Sequence, residues 1–387
     1  MIFRMSVVIR VLSLSFLAFG MFIYPQEVLN SAAASLTLWW RFVLPALLPF
    51  FILSELLMSS GFVHFLGVFL ESFMRPVFRL PGQAAFVVAM GYTSGFPMGA
   101  VLTARLRKAG EISRIEGERL LAFTNNPSPG FMFGAVASGM LGQPTLGIVL
   151  AGSVYLANLL VGFLFRFYRK TASPAQPLKF PSFRRAWQEL KTAQLQDKRT
   201  IGQILSDSIK QSFTTVLMVG GFMAFFSVIL RLLNIWHITF FLASMSHYFL
   251  RVIPISIHQA FYNGLLEMTI GCQQGIQAVP ILRQQIALLT FLMGWSGLSV
   301  FAQVIGFISG TDLRITPFIA ARILHGIFAL GLSQLFLNYT KIPALALPPQ
   351  ALSPMSQAWN TWHLSLIMFL GASGILLSLA ASQRLHR

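Results

Sequence analysis

The chain is poor in charge. Of 387 residues only 10% are charged and only 11 are Asp or Glu, whereas 55% are hydrophobic and mean hydropathy is +0.70. These values exclude an ordinary soluble domain and describe a polytopic membrane protein. A single cysteine, Cys272, excludes an intrachain disulfide and a Cys-rich metal site. Enzyme signatures are also missing: no phosphate-cradling Gly-Lys-Ser loop, no HExxH, and no pair of acids within one membrane stretch. The seven histidines are scattered, and His237, His247 and His258 lie too far apart in a loose stretch to read as metal ligands. The sequence therefore gives no reason to expect an enzyme, a cofactor or a metal.

What is abundant is positive charge, with a net +17. A nucleic-acid binder gathers its Lys and Arg on one water-exposed face. Here they sit at the ends of apolar runs, which excludes nucleic acid as a partner and names the lipid bilayer instead. A span needs about 20 mostly apolar residues. Full spans are expected near 5–24, 35–58, 119–141, 145–167, 207–230, 285–308, 315–337 and 361–380. The first has the basic start and apolar core of a secretory signal, but its near-full membrane length and lack of a small-x-small site read as an uncleaved span. Stretches near 83–104 and 255–280 are broken by Gly, Pro, Ser, Thr or Glu, and read as hairpins that enter and return on one side. Segments 62–79 and 236–253 suit helices lying at the interface.

With the N-terminus inside, all but Arg41, Arg231, Arg251, Arg283 and Lys341 of the 28 Lys and Arg fall at the cytoplasmic face. The main cytoplasmic loop, 168–200, is a basic tether suited to anionic lipid. It divides a leading span (1–30) and a first repeat (31–167) from a second repeat (201–340) and a C-terminal span (341–387). In each repeat the order is span, interfacial helix, broken hairpin, interrupted span. The repeats start on opposite sides, so they are inverted, as in many secondary transporters whose sites lie near the midplane. The fold class is all-α, with about eight spans and two re-entrant hairpins.

Four stretches carry chemistry. In SGFPMGA, residues Ser94, Gly95, Phe96, Pro97 and Gly99 make a continuous helix improbable and present a helix N-terminus to an anion. The competing reading is a small-xxx-small packing surface, which Gly91, Gly95 and Gly99 match in spacing. In TNNPSPG, Pro127 and Pro129 interrupt the helix, exposing Asn125, Asn126 and Ser128; alternatively these asparagines only satisfy freed carbonyls. GLLEMTIGCQQ places Glu267 at membrane depth with Thr269 and Gln273 beside it, a group for a coupling ion, proton or Na+, unless it pairs with a neighbouring amide or arginine. GWSGLSVFAQ adds Ser296, Gly297 and Ser299, with Trp295 either a packer or a site residue. Glu55 reads as an interfacial acid, and Ser113 as a helix cap toward Glu116.

These residues resemble those of the YlbJ/SpoVV family of sporulation integral membrane proteins, within the nucleoside-recognition or Gate domain proteins. The resemblance runs from about 35 to 340 and is most specific in SGFPMGA, LRKAGEISRIEGERLLAFTNNPSPGFMFGAV, LVGFLFRFYRK and GWSGLSVFAQV followed by TDL. Two positions depart from the family pattern: NNPSP stands where Asn-Asn-Ser-Gly-Pro is more frequent, and Phe301 where His is. The resemblance implies a fold similar to concentrative nucleoside transporters, in which homo-oligomers occur. It implies a multi-pass protein of the mother-cell or outer forespore membrane that moves dipicolinic acid toward the forespore. The residues fit a small anionic solute; a cation-coupled nucleoside or polar-solute symporter, or a non-transporting scaffold for sporulation, are the alternatives.

Overall fold

The structure is a computed structural model that describes residues 2–169 and 182–339. The expected C-terminal span at 361–380, and residues 170–181 of the basic loop, lie outside those residues. Among the described residues every regular element is helical. The helices α1 (Ile2–Ile23), α2 (Pro25–Leu38) and α3 (Leu44–Ser59) open the chain, a π turn at Trp39–Val43 joining the last two. Residues 25–34, between the first two expected spans, are helical. Pro25 starts α2 at once, as its fixed φ and missing N–H allow at a first helical position, and the axis turns by 99° at Tyr24.

α4 (Phe62–Phe78) leaves α3 at 83° through Gly61, whose φ is +77, which fits a helix lying across the end of a span. α5 (Ala84–Ser94) and α6 (Met98–Lys108) form the first hairpin, sharing one apolar core with α4 through Val87, Met90, Leu102 and Phe78. α7 (Arg114–Phe123) begins on the Ser113–Glu116 capping box and stops before Pro127, where a π-helical segment (Gly130–Met140) resumes the path. α8 (Leu146–Phe165) returns.

The second half runs α9 (Phe183–Gln196), α10 (Ile201–Ile235, 35 residues), α11 (Ile238–Phe249), α12 (Ile255–Leu266), α13 (Met268–Ala278), α14 (Leu282–Trp295), α15 (Leu298–Ile308) and α16 (Thr316–Tyr339). The order long helix, shorter helix, hairpin and interrupted helix thus occurs as α3 to 140 and again as α10 to α15. α8, α10, the α14–α15 path and α16 are each long and apolar enough to cross a bilayer, and the two bent pairs at the start raise the total to six among the described residues. The chain is a multi-pass membrane protein.

Candidate functional site

Each expected interruption is present, and the interruptions face one another in pairs. The first hairpin turns at Gly95, at φ +85. A Cβ on Gly91 or Gly99 would stand 2.1 or 2.2 Å from the Thr124 carbonyl oxygen, and one on Gly95 would stand 2.8 Å from Ser128. The three glycines are therefore a packing surface, with the hairpin tip clasping the broken end of α7. In the second half, α12 and α13 meet at Glu267, where a Cβ on Gly271 would stand 2.1 Å from Gly264 Cα. The α14–α15 break at Ser296 and Gly297, with φ of +81 and +83, lies on that tip: a Cβ on Gly297 would reach 2.9 Å from Met268 N.

A helix that ends in the membrane interior leaves four carbonyls to satisfy. For α7 all are accounted for. Thr124 Oγ1 donates to Leu120 O at 2.8 Å and Asn125 Nδ2 to Leu121 O at 3.3 Å. Arg322 Nη2, from α16, donates to Ala122 O at 2.6 Å, and Asn158 Nδ2, from α8, donates to Phe123 O. Arg322 Nη1 donates to Asn125 O at 2.6 Å and Nη2 also to Asn158 Oδ1 at 2.9 Å. Asn125 Oδ1 accepts the Ala100 N–H at 3.0 Å, so Asn125 caps α6 as well as closing α7. Ser128 Oγ accepts from Phe131 N–H at 3.2 Å.

The remaining predicted residues divide. Asn126 takes one hydrogen bond, from Asn158 Nδ2 at 2.6 Å, and its own Nδ2 has no partner. Ser94 is buried with its hydroxyl unpartnered. Phe96 joins two apolar cores, Pro97 is buried beside it, and Ser299 is buried on α15. Glu267 is buried and caps α13, accepting the Ile270 N–H at 2.7 Å with Thr269 beside it. No arginine pairs with it among the described residues. Ser296 lies under the α14 carbonyls of Met293 and Gly294, both 3.5 Å away. Gln273 is exposed on α13, and its neighbour Gln274 turns inward to accept from Asn263 Nδ2 at 2.6 Å. Trp295 is both packer and tie, stacking near Phe301 at 4.6 Å and donating to Leu265 O at 3.0 Å.

The two pairs of breaks are joined crosswise. α6 packs on α15 through Ala100, Ala104, Val300 and Val304, while α13 shares a core with the 130–140 segment through Cys272, Met132 and Phe133. α16 braces both: Arg322 holds the first pair, and Gly326 lies against Gly294 just before the second, a Cβ on Gly294 reaching 2.7 Å from Gly326 Cα. His325, fully buried one turn on, bonds the Val154 carbonyl at 2.8 Å. Arg322, His325, Asn158, Tyr92 and Tyr155 were not singled out in the sequence. The signal was available in IAARILHGIF, an arginine and a histidine three apart inside an apolar run.

Arg322 is fully buried, and no carboxylate stands within ion-pair distance among the described residues. Its Nε is unpartnered, as are the Tyr92 hydroxyl and Asn126 Nδ2. Tyr92 lies close to Asn126, Asn158 and Arg322, with its ring 5.0 Å from that of Tyr155. Buried polar atoms are normally paired. Three donors thus stand unmet about a buried cation that has no carboxylate partner among the described residues.

The end of the molecule at the α6–α7 turn is latched by ion pairs that cross between the halves. Arg107 makes a bidentate pair with Asp312 at 2.8 and 2.9 Å. Glu118 accepts from Arg314 at 2.9 and 3.2 Å, from Arg114 at 3.0 Å and from the Tyr168 hydroxyl at 3.0 Å. Burial alone would raise the Glu118 carboxyl, but these donors outweigh it and hold it below its ordinary value. Glu55, read as an interfacial acid, pairs with Arg105 of α6. Among the described residues no group of three His, Cys, Asp or Glu is arranged to hold a metal.

Residues 40–169 match the family model described as "Nucleoside recognition". The chain is 45% identical over 312 residues to the sporulation integral membrane protein YlbJ of Bacillus subtilis (strain 168), covering 79% of this chain and 76% of the relative. No solved structure matches. The broken helices and ion-pair latches described above thus lie in a member of the YlbJ family of sporulation integral membrane proteins, to which the chain belongs.

Proposed function

We propose that the protein is a carrier for a small anionic solute, bound where the four helix breaks converge and released by movement of the hairpin-bearing core against the other spans. The observation that carries this reading is Arg322. A cation held at membrane depth is expensive, and such residues usually face a pathway or a partner. Here the cation is held by neutral carbonyls and by the face of the Phe318 ring, 5.2 Å from its Cζ, with no carboxylate beside it among the described residues and unmet donors nearby. A carboxylate entering beside Arg322, Asn126 and Tyr92 would gain charge-assisted hydrogen bonds. The recurrence of long helix, shorter helix, hairpin and interrupted helix supports two inverted repeats, the arrangement in which broken helices build a midplane site.

Within that class the solute is dipicolinate, a planar dianion, carried from the mother cell toward the forespore. The sporulation name of the YlbJ relative and the match of acid to a lone guanidinium support this. Glu267, which caps α13 and has no cationic partner, is the residue for a coupling proton or Na+. Its burial, with the family description "Nucleoside recognition", favours as a second reading a cation-coupled nucleoside symporter. Uptake of labelled dipicolinate by liposomes holding the purified protein, with unlabelled nucleosides as competitors, tests both. Uptake equal to that of empty vesicles removes the carrier reading, and competition by nucleosides alone selects the second.

A further inference from the structure

A cleft of about 870 Å³ opens at the cytoplasmic ends of α3, α6 and α10, under α9. α9 is fixed there by the buried Ala186, by Ala193 against Gly61, and by Gln194, which donates to Ser60 O at 3.2 Å. The charges lining the cleft do not cancel group by group. Arg105 is matched by Glu55. Arg199 is matched twice, by Asp197 at 2.6 Å and by Asp207 at 3.1 Å. These two arginines occupy all three acids of the lining. Lys108 and Lys210 are left among the lining residues, both exposed and with no acid or hydrogen-bond partner among the described residues, the Lys108 ammonium lying beside Gly310 at the edge of the cleft. The same lining includes Ser208, which is 3% exposed and has no partner for its hydroxyl. Gln211 and Thr214 extend the same wall of α10.

We propose that this cleft is a second, cytoplasmic anion site, separate from the buried one, taking a small doubly charged oxyanion, either a dicarboxylate or a phosphate. Two ammonium groups act as mobile point charges, and a buried hydroxyl supplies one oriented donor. Neither lysine has an acid to leave, so an incoming anion breaks no existing pair. The pairing is solvated and therefore weak and salt-sensitive. The site is reached from the cytosol and sits on the C-terminal turn of α6, the helix whose other end is capped by Asn125.

The test is equilibrium binding to the purified full chain at low salt, with labelled dipicolinate in one arm and inorganic phosphate in the other. A fluorophore on Gln196→Cys, at the rim of the cleft, reports location. The intact protein is expected to show a rim-fluorescence response to at least one anion. Lys108→Gln with Lys210→Gln should weaken that response at least tenfold, and 0.5 M salt should abolish it. The arm that responds says whether carboxylate or phosphate is taken. Because both lysines are exposed, the double variant should keep its thermal unfolding temperature. The proposal is overturned if the rim gives no response to either anion, or if the double variant binds within twofold of the parent. Arg322→Gln separates the two sites: it should leave the rim response unchanged, so failure of the buried site and failure of the cleft read out independently.

Discussion

Replacing Arg322 with glutamine is the sharpest perturbation of the buried site. The guanidinium makes three hydrogen bonds, at 2.6, 2.6 and 2.9 Å, to Asn125 O, Ala122 O and Asn158 Oδ1. Bonds to a charged donor contribute about 1.5–3 kcal/mol each. Removing the cation also removes a desolvation cost of several kcal/mol, and the glutamine amide can still reach one carbonyl. These effects oppose each other, and the net loss of stability is about 1–3 kcal/mol. The solute has no such compensation. Truncating one member of a dry, hydrogen-bonded charge pair costs about 2–5 kcal/mol, roughly 30-fold to a few thousand-fold in affinity. The variant should therefore still insert and fold, bind dipicolinate at least 30-fold more weakly, and bind the neutral diamide of the same ring nearly as well as the parent does. Binding of both compounds to purified protein, with liposome uptake of the acid, gives the comparison. An unchanged affinity for the acid, or equal weakening for acid and diamide, would refute the assignment and leave Arg322 as a brace for the α7 break alone.

Other outcomes follow from single contacts. Gly99→Ala places a methyl carbon 2.2 Å from a backbone oxygen that cannot yield, and should cost at least about 1–3 kcal/mol, whereas Gly134→Ala, with nothing within 4 Å, should be close to neutral; thermal unfolding in detergent compares them. The Arg107–Asp312 latch is partly exposed and contributes about 1 kcal/mol at most, so Arg107→Glu should raise cytoplasmic labelling of an Asn126→Cys variant no more than about fivefold. Adding Asp312→Arg should reverse the change. The hydrogen bonds from Arg199 hold the Asp197 carboxyl at about 2, below its ordinary 3.8. A depressed carboxyl adds stability that is fully present above 3.8 and lost as pH falls through about 2. The Asp197 carboxyl should accordingly stay ionised from pH 8 to pH 4.5 and protonate only near 2 in a carboxyl titration followed by NMR; protonation at its ordinary 3.8 would show that Arg199 does not hold it.

The interruptions were legible because Gly, Pro and paired polar residues punctuate apolar runs: Gly95 with Pro97, Pro127 with Pro129, Glu267, and Ser296 with Gly297 all mark real breaks. What each break binds was not, since the partners lie far along the chain. The spacing of Gly91, Gly95 and Gly99 fitted both an open tip and a packing face, and only the position of the Thr124 carbonyl decides for packing. Asn125 was read as a site residue, yet it closes two helix ends through contacts with Leu121 and Ala100. Gln273 and Gln274 are indistinguishable by composition, and one residue of helical rotation separates the exposed from the paired one. The right-angle turn at Tyr24 was missed because residues 25–34 fall between two expected spans and carry too few apolar residues to read as one, whereas Pro25 is the first residue of α2.

The length of α10 has its own implication. Thirty-five residues at 1.5 Å each extend about 52 Å, against a hydrocarbon slab of about 30 Å. A modest lean absorbs only part of the excess, so several turns must stand clear of the lipid. Gln203, Asp207, Lys210 and Gln211 place that overhang at the end adjoining the basic loop. The helix is thus a mast as well as a span, and the shelter that α9 makes against its base stands in water, clear of the fat.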